Sequence, residues 1–124
     1  MTTIINVNMN SNPKIAVFGG GSWATAIVKM LTENLENVGW YMRNVSAIEH
    51  IKKFHNNPNY LSSAELIPEK LDISNDINYF VSNYDVLIFV IPSAFLKSEL
   101  EKITVSFDDK IFFLQLKELY QKQD

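Results

Sequence analysis

Gly19, Gly21 and Ala24 stand at the spacing Gly-x-Gly-x-x-Ala, directly after the apolar run Ile15 to Phe18 and directly before a helix-forming segment. The chemistry these residue types serve at that spacing is the holding of a pyrophosphate. A first glycine lets a strand turn sharply into a helix, and a second, lacking Cβ, lets a diphosphate approach the backbone. A small third residue lets helix and strand pack closely, and the new helix presents its first N–H groups and positive dipole end to the anion. The competing reading of the same residues is a plain strand-to-helix turn.

Further along, Trp40-Tyr-Met-Arg43-Asn44 ends the second apolar run without an Asp or Glu. An acid there would bind a ribose 2′-hydroxyl and select NAD, whereas Arg43 can pair with a 2′-phosphate and stack on adenine. The sequence therefore predicts that NADP is taken at least as well as NAD; a solvated loop arginine is the alternative. Ile91-Pro92-Ser93 closes the most apolar run of the chain. Pro92 there turns the chain at the carboxyl end of a strand, beside the nicotinamide end of such a ligand, and equally suits a helix start with Ser93 as cap. His50 and His55 are five residues apart, which does not put two ligands on one helical face, so polar surface roles are expected and no metal site. Asp108 and Asp109 read as a turn, and no nucleophile–base set or catalytic carboxylate pair is present.

The elements that must position these residues alternate. Strands are expected at Lys14–Phe18, Val38–Met42, Leu71–Ile73, Val86–Ile91 and Lys110–Leu114. Helices are expected at Ser22–Asn34, with Ala24, Ile27, Val28 and Leu31 inward; at Val45–Phe54, with Val45, Ile48, Ile51 and His55 on one spacing; at Asp76–Asn83, capped by Asn75 or Asp76; and at Ser93–Ile103. Asn56 to Leu61 is a loop by its Asn and Pro content. Strand–helix alternation with an uninterrupted apolar strand predicts an α/β fold, a Rossmann-like doubly wound parallel sheet. A chain of 124 residues, 47% hydrophobic, holds one modest domain with a genuine core. Its net charge of −3 argues against nucleic acid and anionic membranes as partners, and the absence of cysteine excludes disulfides and thiolate metal sites. No apolar run is long enough to span a bilayer, and residues 1–12 lack the basic start and apolar centre of a signal peptide. The expectation is a disordered leader over 1–12 and a cytoplasmic protein.

Three segments together resemble one family. Gly19-Gly-Gly-Ser-Trp-Ala-Thr-Ala26 resembles the Gly-x-Gly-Ser-Trp-Gly-Thr-Ala fingerprint of bacterial-type NAD(P)-dependent glycerol-3-phosphate dehydrogenase; Asn57-Pro-Asn-Tyr-Leu61 resembles its Asn-x-x-Tyr-Leu loop, and Val90-Ile-Pro-Ser93 its Val-Pro-Ser segment. Order and spacing agree from about Lys14 to Phe113, Ala24 being the one small departure within the fingerprint. The resemblance implies an NAD(P)-binding domain over 13–113 that serves hydride transfer between sn-glycerol 3-phosphate and dihydroxyacetone phosphate, a step in supplying glycerophospholipid precursors. It implies that Ser22 and Trp23 touch the cofactor, that Arg43 and Asn44 hold its adenosine end, and that Tyr60 lines the cleft. With the motif positions, the expected cofactor-binding set is Gly19, Gly21, Ser22, Trp23, Ala24, Arg43, Asn44, Tyr60 and Pro92.

After its last strand the family continues into Ser-Ala-x-Lys-Gly and a helical substrate domain. Here Phe113 is followed by Leu114-Gln-Leu-Lys-Glu-Leu-Tyr-Gln-Lys-Gln-Asp124. With suitable codons, loss of one base from the T-rich Phe112-Phe113 stretch turns Ser-Ala-Ile-Lys-Gly-Ile-Ile-Pro-Glu-Thr into the segment that begins at Leu114, so residues 114–124 are expected to be a frameshifted tail. Lys117 falls at the place of the family's lysine and is the expected substrate contact, with Glu118 in place of the neighbouring glycine. On this reading the substrate domain is missing, the chain binds cofactor without turning over alone, no residue here is assigned a catalytic role, and the apolar surface left bare favours self-association. Other functions open to such a scaffold are a stand-alone nucleotide-binding or redox-sensing module, and an interaction protein that takes no nucleotide.

Overall fold

The computed structural model describes residues 12–114. The expected leader and tail, with Lys117, lie outside the described residues, except that Asn12 forms a bend and Leu114 closes the last strand. Five strands, β1 (Ile15–Phe18), β2 (Val38–Tyr41), β3 (Leu71–Ser74), β4 (Val86–Phe89) and β5 (Ile111–Leu114), form one sheet in the order β3-β2-β1-β4-β5. All pairings are parallel. Four helices lie between them: α1 (Ser22–Thr32), α2 (Val45–Phe54), α3 (Ile77–Asn83) and α4 (Ser93–Leu100), with a short 3₁₀ turn at Pro68–Lys70 before β3 that the sequence did not announce.

Alternation along the strands divides the core in two. Val17 and Trp40 face one way and pack with Ala24 and Val28 of α1 and with Ala47, Ile48 and Ile51 of α2. Ala16, Phe18 and Tyr41 face the other way, against Ile77, Phe80 and Val81 of α3 and the partly buried Leu96 of α4. The predicted doubly wound parallel sheet is therefore the observed one. On the second face Phe18 stacks on Phe89 at 4.3 Å between ring centroids and meets Phe80 edge-on at 6.2 Å. Phe112 and Leu114 of β5 remain exposed.

Element ends differ from the expected ones for local reasons. β4 stops at Phe89 rather than Ile91, because its partner β1 turns at Gly19; the Val90 N–H makes the last bond to β1, to the Phe18 carbonyl at 2.8 Å, and Val90 and Ile91 stay buried beyond the strand. The last turns of α1 and α4 tighten into i→i−3 bonds, Asn34 to Leu31 and Ile103 to Leu100, which ends the helices short of the expected Asn34 and Ile103. Ser93 is not the cap of α4. Pro92 holds the cap position in an extended conformation, which makes Ser93 the first helical residue. Asp76 does cap α3, accepting from the Tyr79 backbone N–H at 3.2 Å. On α2, Val45 is exposed and His55 is the left-handed residue after the last turn, so only Ile48 and Ile51 of the expected stripe, with Ala47, reach the core.

Candidate functional site

The carboxyl ends of β1, β2 and β4 meet where the strand order reverses, and the chain leaves them in opposite directions to α1 and α4. That divergence opens a crevice, the place where open parallel sheets take ligands. A cleft of about 460 Å³ lies there, within the range of small-molecule sites. Its floor is Gly19, Gly20 and Gly21; its walls are Tyr41 to Asn44 after β2, Asn59 and Tyr60 from the loop after α2, Ile91 and Pro92 after β4, and Phe95 and Glu99 of α4.

The glycine turn is held from several sides. The Gly19 N–H donates to the Tyr41 carbonyl at 2.9 Å, and the buried indole N–H of Trp40 donates to the Gly19 carbonyl at 2.6 Å. Gly19 has φ +135°, and a Cβ placed on it would lie 2.2 Å from the Val90 carbonyl oxygen. Glycine is thus required there by backbone conformation and by the close passage of the chain just after β4. Gly21 is different. Its backbone is ordinary extended chain (φ −84°), and a Cβ added to it would meet nothing within 4 Å. The space above Gly21 serves no internal packing and is open for a ligand to occupy. Gly21 also precedes the first turn of the eleven-residue α1, whose terminus no side chain caps. Open space at the second glycine and an uncapped helix start fit the diphosphate of a dinucleotide.

Asn57 is a residue that motif reading left without a task. It is fully buried, and its amide NH2 donates to the Gly20 carbonyl at 3.2 Å and to Thr25 Oγ1 at 2.9 Å. Thr25 Oγ1 in turn donates to the Gly21 carbonyl at 2.7 Å, and Asn57 Oδ1 accepts from the Asn59 backbone N–H at 3.0 Å. This small polar cluster ties the glycine turn to the loop that carries Tyr60. Its signal in the sequence was the Asn that opens Asn57-Pro-Asn-Tyr-Leu61, and Thr25 was hidden as a polar residue on the inner face of α1.

At the other end of the cleft, Glu99 of α4 is 2% exposed and faces the end of β2. Tyr41 Oη donates to its Oε1 at 2.5 Å, Lys102 Nζ donates to Oε2 at 2.8 Å, and Arg43 Nε lies 3.8 Å from Oε2. The Arg43 guanidinium also lies over the Phe95 ring, 5.1 Å from its centroid. Burial first, and then the hydrogen bond to the Glu99 carboxylate, push the Tyr41 hydroxyl well above the ordinary tyrosine pKa. A buried acid thus stands at the end of β2, brought from α4, but it is engaged with Tyr41, Lys102 and Arg43.

Of the residues expected to hold a cofactor, Gly19, Gly21, Arg43, Asn44, Tyr60 and Pro92 line the cleft together. Asn44 has a structural task as well, capping α2 by accepting from the Ala47 N–H at 3.1 Å. Ser22 and Trp23 begin α1 as exposed residues outside the cleft walls. Ala24 is wholly buried between α1 and the sheet, where its small size lets the helix approach, so it acts by packing. His50 Nε2 lies 2.9 Å from Asn56 Oδ1, and His55 accepts from the Leu66 N–H through its backbone carbonyl at 2.8 Å. Among the described residues no helix is long and apolar enough to cross a membrane.

Strand order, glycine turn and crevice together define a Rossmann-like α/β domain. Residues 14–119 match the family described as NAD-dependent glycerol-3-phosphate dehydrogenase N-terminus. The chain is 31% identical over 90 residues to the glycerol-3-phosphate dehydrogenase [NAD(P)+] of Lacticaseibacillus casei, covering 73% of this chain and 26% of that protein. Identity to the enzyme of the same name from Azotobacter vinelandii is 32% over 103 residues, 83% of this chain and 30% of the relative. Among solved structures, glycerol-3-phosphate dehydrogenase from Saccharomyces cerevisiae superposes with a TM-score of 0.66 at 26% identity, over 85% of this chain and 34% of that one. The Plasmodium falciparum glycerol-3-phosphate dehydrogenase superposes with a TM-score of 0.69 at 24% identity, over 82% and 31%, and speaks for the fold. The chain belongs to the NAD-dependent glycerol-3-phosphate dehydrogenase family, as its N-terminal, NAD-binding domain. It spans about a quarter to a third of the length of the relatives it matches.

Proposed function

We propose that the cleft binds NADP(H), and NAD(H) less tightly, and that the domain is the cofactor half of a glycerol-3-phosphate dehydrogenase acting between sn-glycerol 3-phosphate and dihydroxyacetone phosphate. The observation that carries this is the contrast between the two glycines. Gly19 is demanded by the fold, whereas the space kept bare at Gly21 has no internal use. The diphosphate lies on Gly21 and the first turn of α1, receiving backbone N–H groups of that turn, including those of Ser22 and Trp23, and the field of the helix. Arg43 and Asn44 receive the adenosine end, where the guanidinium offers paired N–H donors to a 2′-phosphate. Tyr60 covers the diphosphate from the loop tied down by Asn57. Pro92 stands beside the nicotinamide end and excludes backbone pairing there. The bound dinucleotide supplies the hydride chemistry, and the chain's own residues bind, orient and shield it.

Fluorescence titration of the full chain with NADPH and with NADH tests this reading. Saturable binding of both at one site, with NADPH bound more tightly, is the expected outcome. Binding of neither refutes the cofactor assignment, and a clear preference for NADH refutes the role given to Arg43.

A further inference from the structure

Arg43 does not stand alone in the cleft. Its Nε side is turned toward the Glu99 carboxylate at 3.8 Å and its guanidinium covers Phe95 at 5.1 Å. Its side chain is 57% exposed, while Glu99 is 2% exposed. A long, half-exposed arginine loses rotamer freedom when it binds a ligand, and prior anchoring removes part of that loss. Glu99 is itself buried and held: one carboxylate oxygen accepts from Tyr41 of β2, the other from Lys102 one turn on. These bonds also determine what Glu99 can do for a ligand. Buried, and with each oxygen already accepting a bond, it offers little of itself to a ribose hydroxyl. Nor does it cancel the charge of Arg43, because Lys102 already balances it: two cations and one anion leave the cluster at +1. An arginine paired with Glu99 on its Nε side keeps its terminal NH2 groups for the cleft.

We propose that Glu99 is a positioning residue for cofactor choice, holding Arg43 over Phe95 so that its terminal donors meet the 2′-phosphate that distinguishes NADP from NAD. This rests on the cofactor reading above and adds a residue to it. Tyr41 is the fixed point of the device, since it belongs to the sheet and faces the α4 side. Glu99 transmits that position to Arg43 across 56 positions of sequence.

The test separates geometry from charge. In the double variant Glu99→Gln/Lys102→Gln the net charge beside Arg43 is unchanged, and the amide oxygen can still accept from Tyr41, but the carboxylate that holds Nε is gone. Glu99→Asp is the second variant: it keeps every charge and withdraws the carboxylate by one methylene. The readout is the ratio of NADPH to NADH affinity, with Arg43→Gln as the floor and circular dichroism as the check on folding. A global loss of stability weakens both cofactors and does not move the ratio. The proposal predicts that the ratio falls by about threefold in both charge-conserving variants, the loss of one half-exposed ion pair. A ratio unchanged in either folded variant overturns it. A wild-type ratio equal to that of Arg43→Gln also overturns it, while leaving cofactor binding intact. Binding of neither dinucleotide by the wild type removes the underlying reading as well.

Discussion

The two glycines of the turn make opposite predictions for the same substitution. Alanine at position 19 must adopt φ +135°, a conformation costing an L-residue about 1–3 kcal/mol, and its Cβ would sit 2.2 Å from the Val90 carbonyl oxygen. That overlap is with backbone, so relief requires the ends of β1 and β4 to move apart and strains the Trp40 and Tyr41 bonds to Gly19. Overpacking of this kind adds about 1–3 kcal/mol. The sum, about 2–6 kcal/mol, is a large part of the stability of a small domain and corresponds to a fall in Tm of about 10–30 °C. Alanine at position 21 meets open space at an ordinary φ of −84°. The gain from restricting the unfolded chain and the loss of a good helix-capping residue roughly cancel, so stability stays within about 0.5 kcal/mol. The methyl instead enters the path of the diphosphate, and cofactor affinity falls by about tenfold or more, the equivalent of about 1.4 kcal/mol. Thermal and urea melts followed by circular dichroism, with NADPH titration of the same samples, read both effects. If Gly21→Ala binds like the wild type, the diphosphate does not lie on that turn; if Gly19→Ala melts like the wild type, the packing argument at Val90 is wrong.

Two further outcomes follow from the polar groups. Asn57→Ala takes from Thr25 Oγ1 its buried donor and from the Gly20 carbonyl and the Asn59 N–H their part-buried partner, and is expected to cost about 1–3 kcal/mol in a urea melt and to weaken NADPH and NADH alike, because it loosens turn and Tyr60 loop together. Tyr41 has its pKa raised above the ordinary 10.0 by burial and by Glu99, so the folded state binds its proton more firmly than the unfolded state does. Its stabilising effect is complete below pH 10.0 and declines as pH rises from there toward the raised native value. Tyr84, raised by burial and by its bond to Asp72, declines in the same sense. Urea melts across alkaline pH should show falling stability, with a shallower slope in Tyr41→Phe; an equal slope would contradict the placement of Tyr41 beside Glu99.

What was legible in the sequence was local. The turn after β1 could be read because its glycines are consecutive with the strand and helix they join, and the helices showed where apolar residues recur at helical spacing. The α/β class could be read because strands and helices alternate. What could not be read depends on pairs brought together by the fold. Tyr41 and Glu99 are 58 positions apart, and Asn57 and Thr25 are 32 apart. Glu99 could not be read from β2, because α4 brings it to Tyr41 on the face of the sheet opposite α1 and α2. The ends of β4 were misjudged for the same reason: Val90 and Ile91 are as apolar as the strand before them, and only the departure of β1 shows that pairing has ended. Ala24 shows the converse, a motif residue whose contribution is packing rather than contact with a ligand.

A dinucleotide bound as proposed occupies one crevice, floored by the glycine turn, with its diphosphate on α1 and its 2′-phosphate on Arg43. The most direct test is a ¹⁵N-resolved NMR titration of the full chain with NADPH and then with NADH. Large shifts are expected at the amides of Gly20 to Trp23 and of Asn59 and Tyr60 with both ligands, and shifts at Arg43 and its side-chain Nε–H that are larger with NADPH. Shifts absent from the glycine turn, or centred on another face of the sheet, would contradict it.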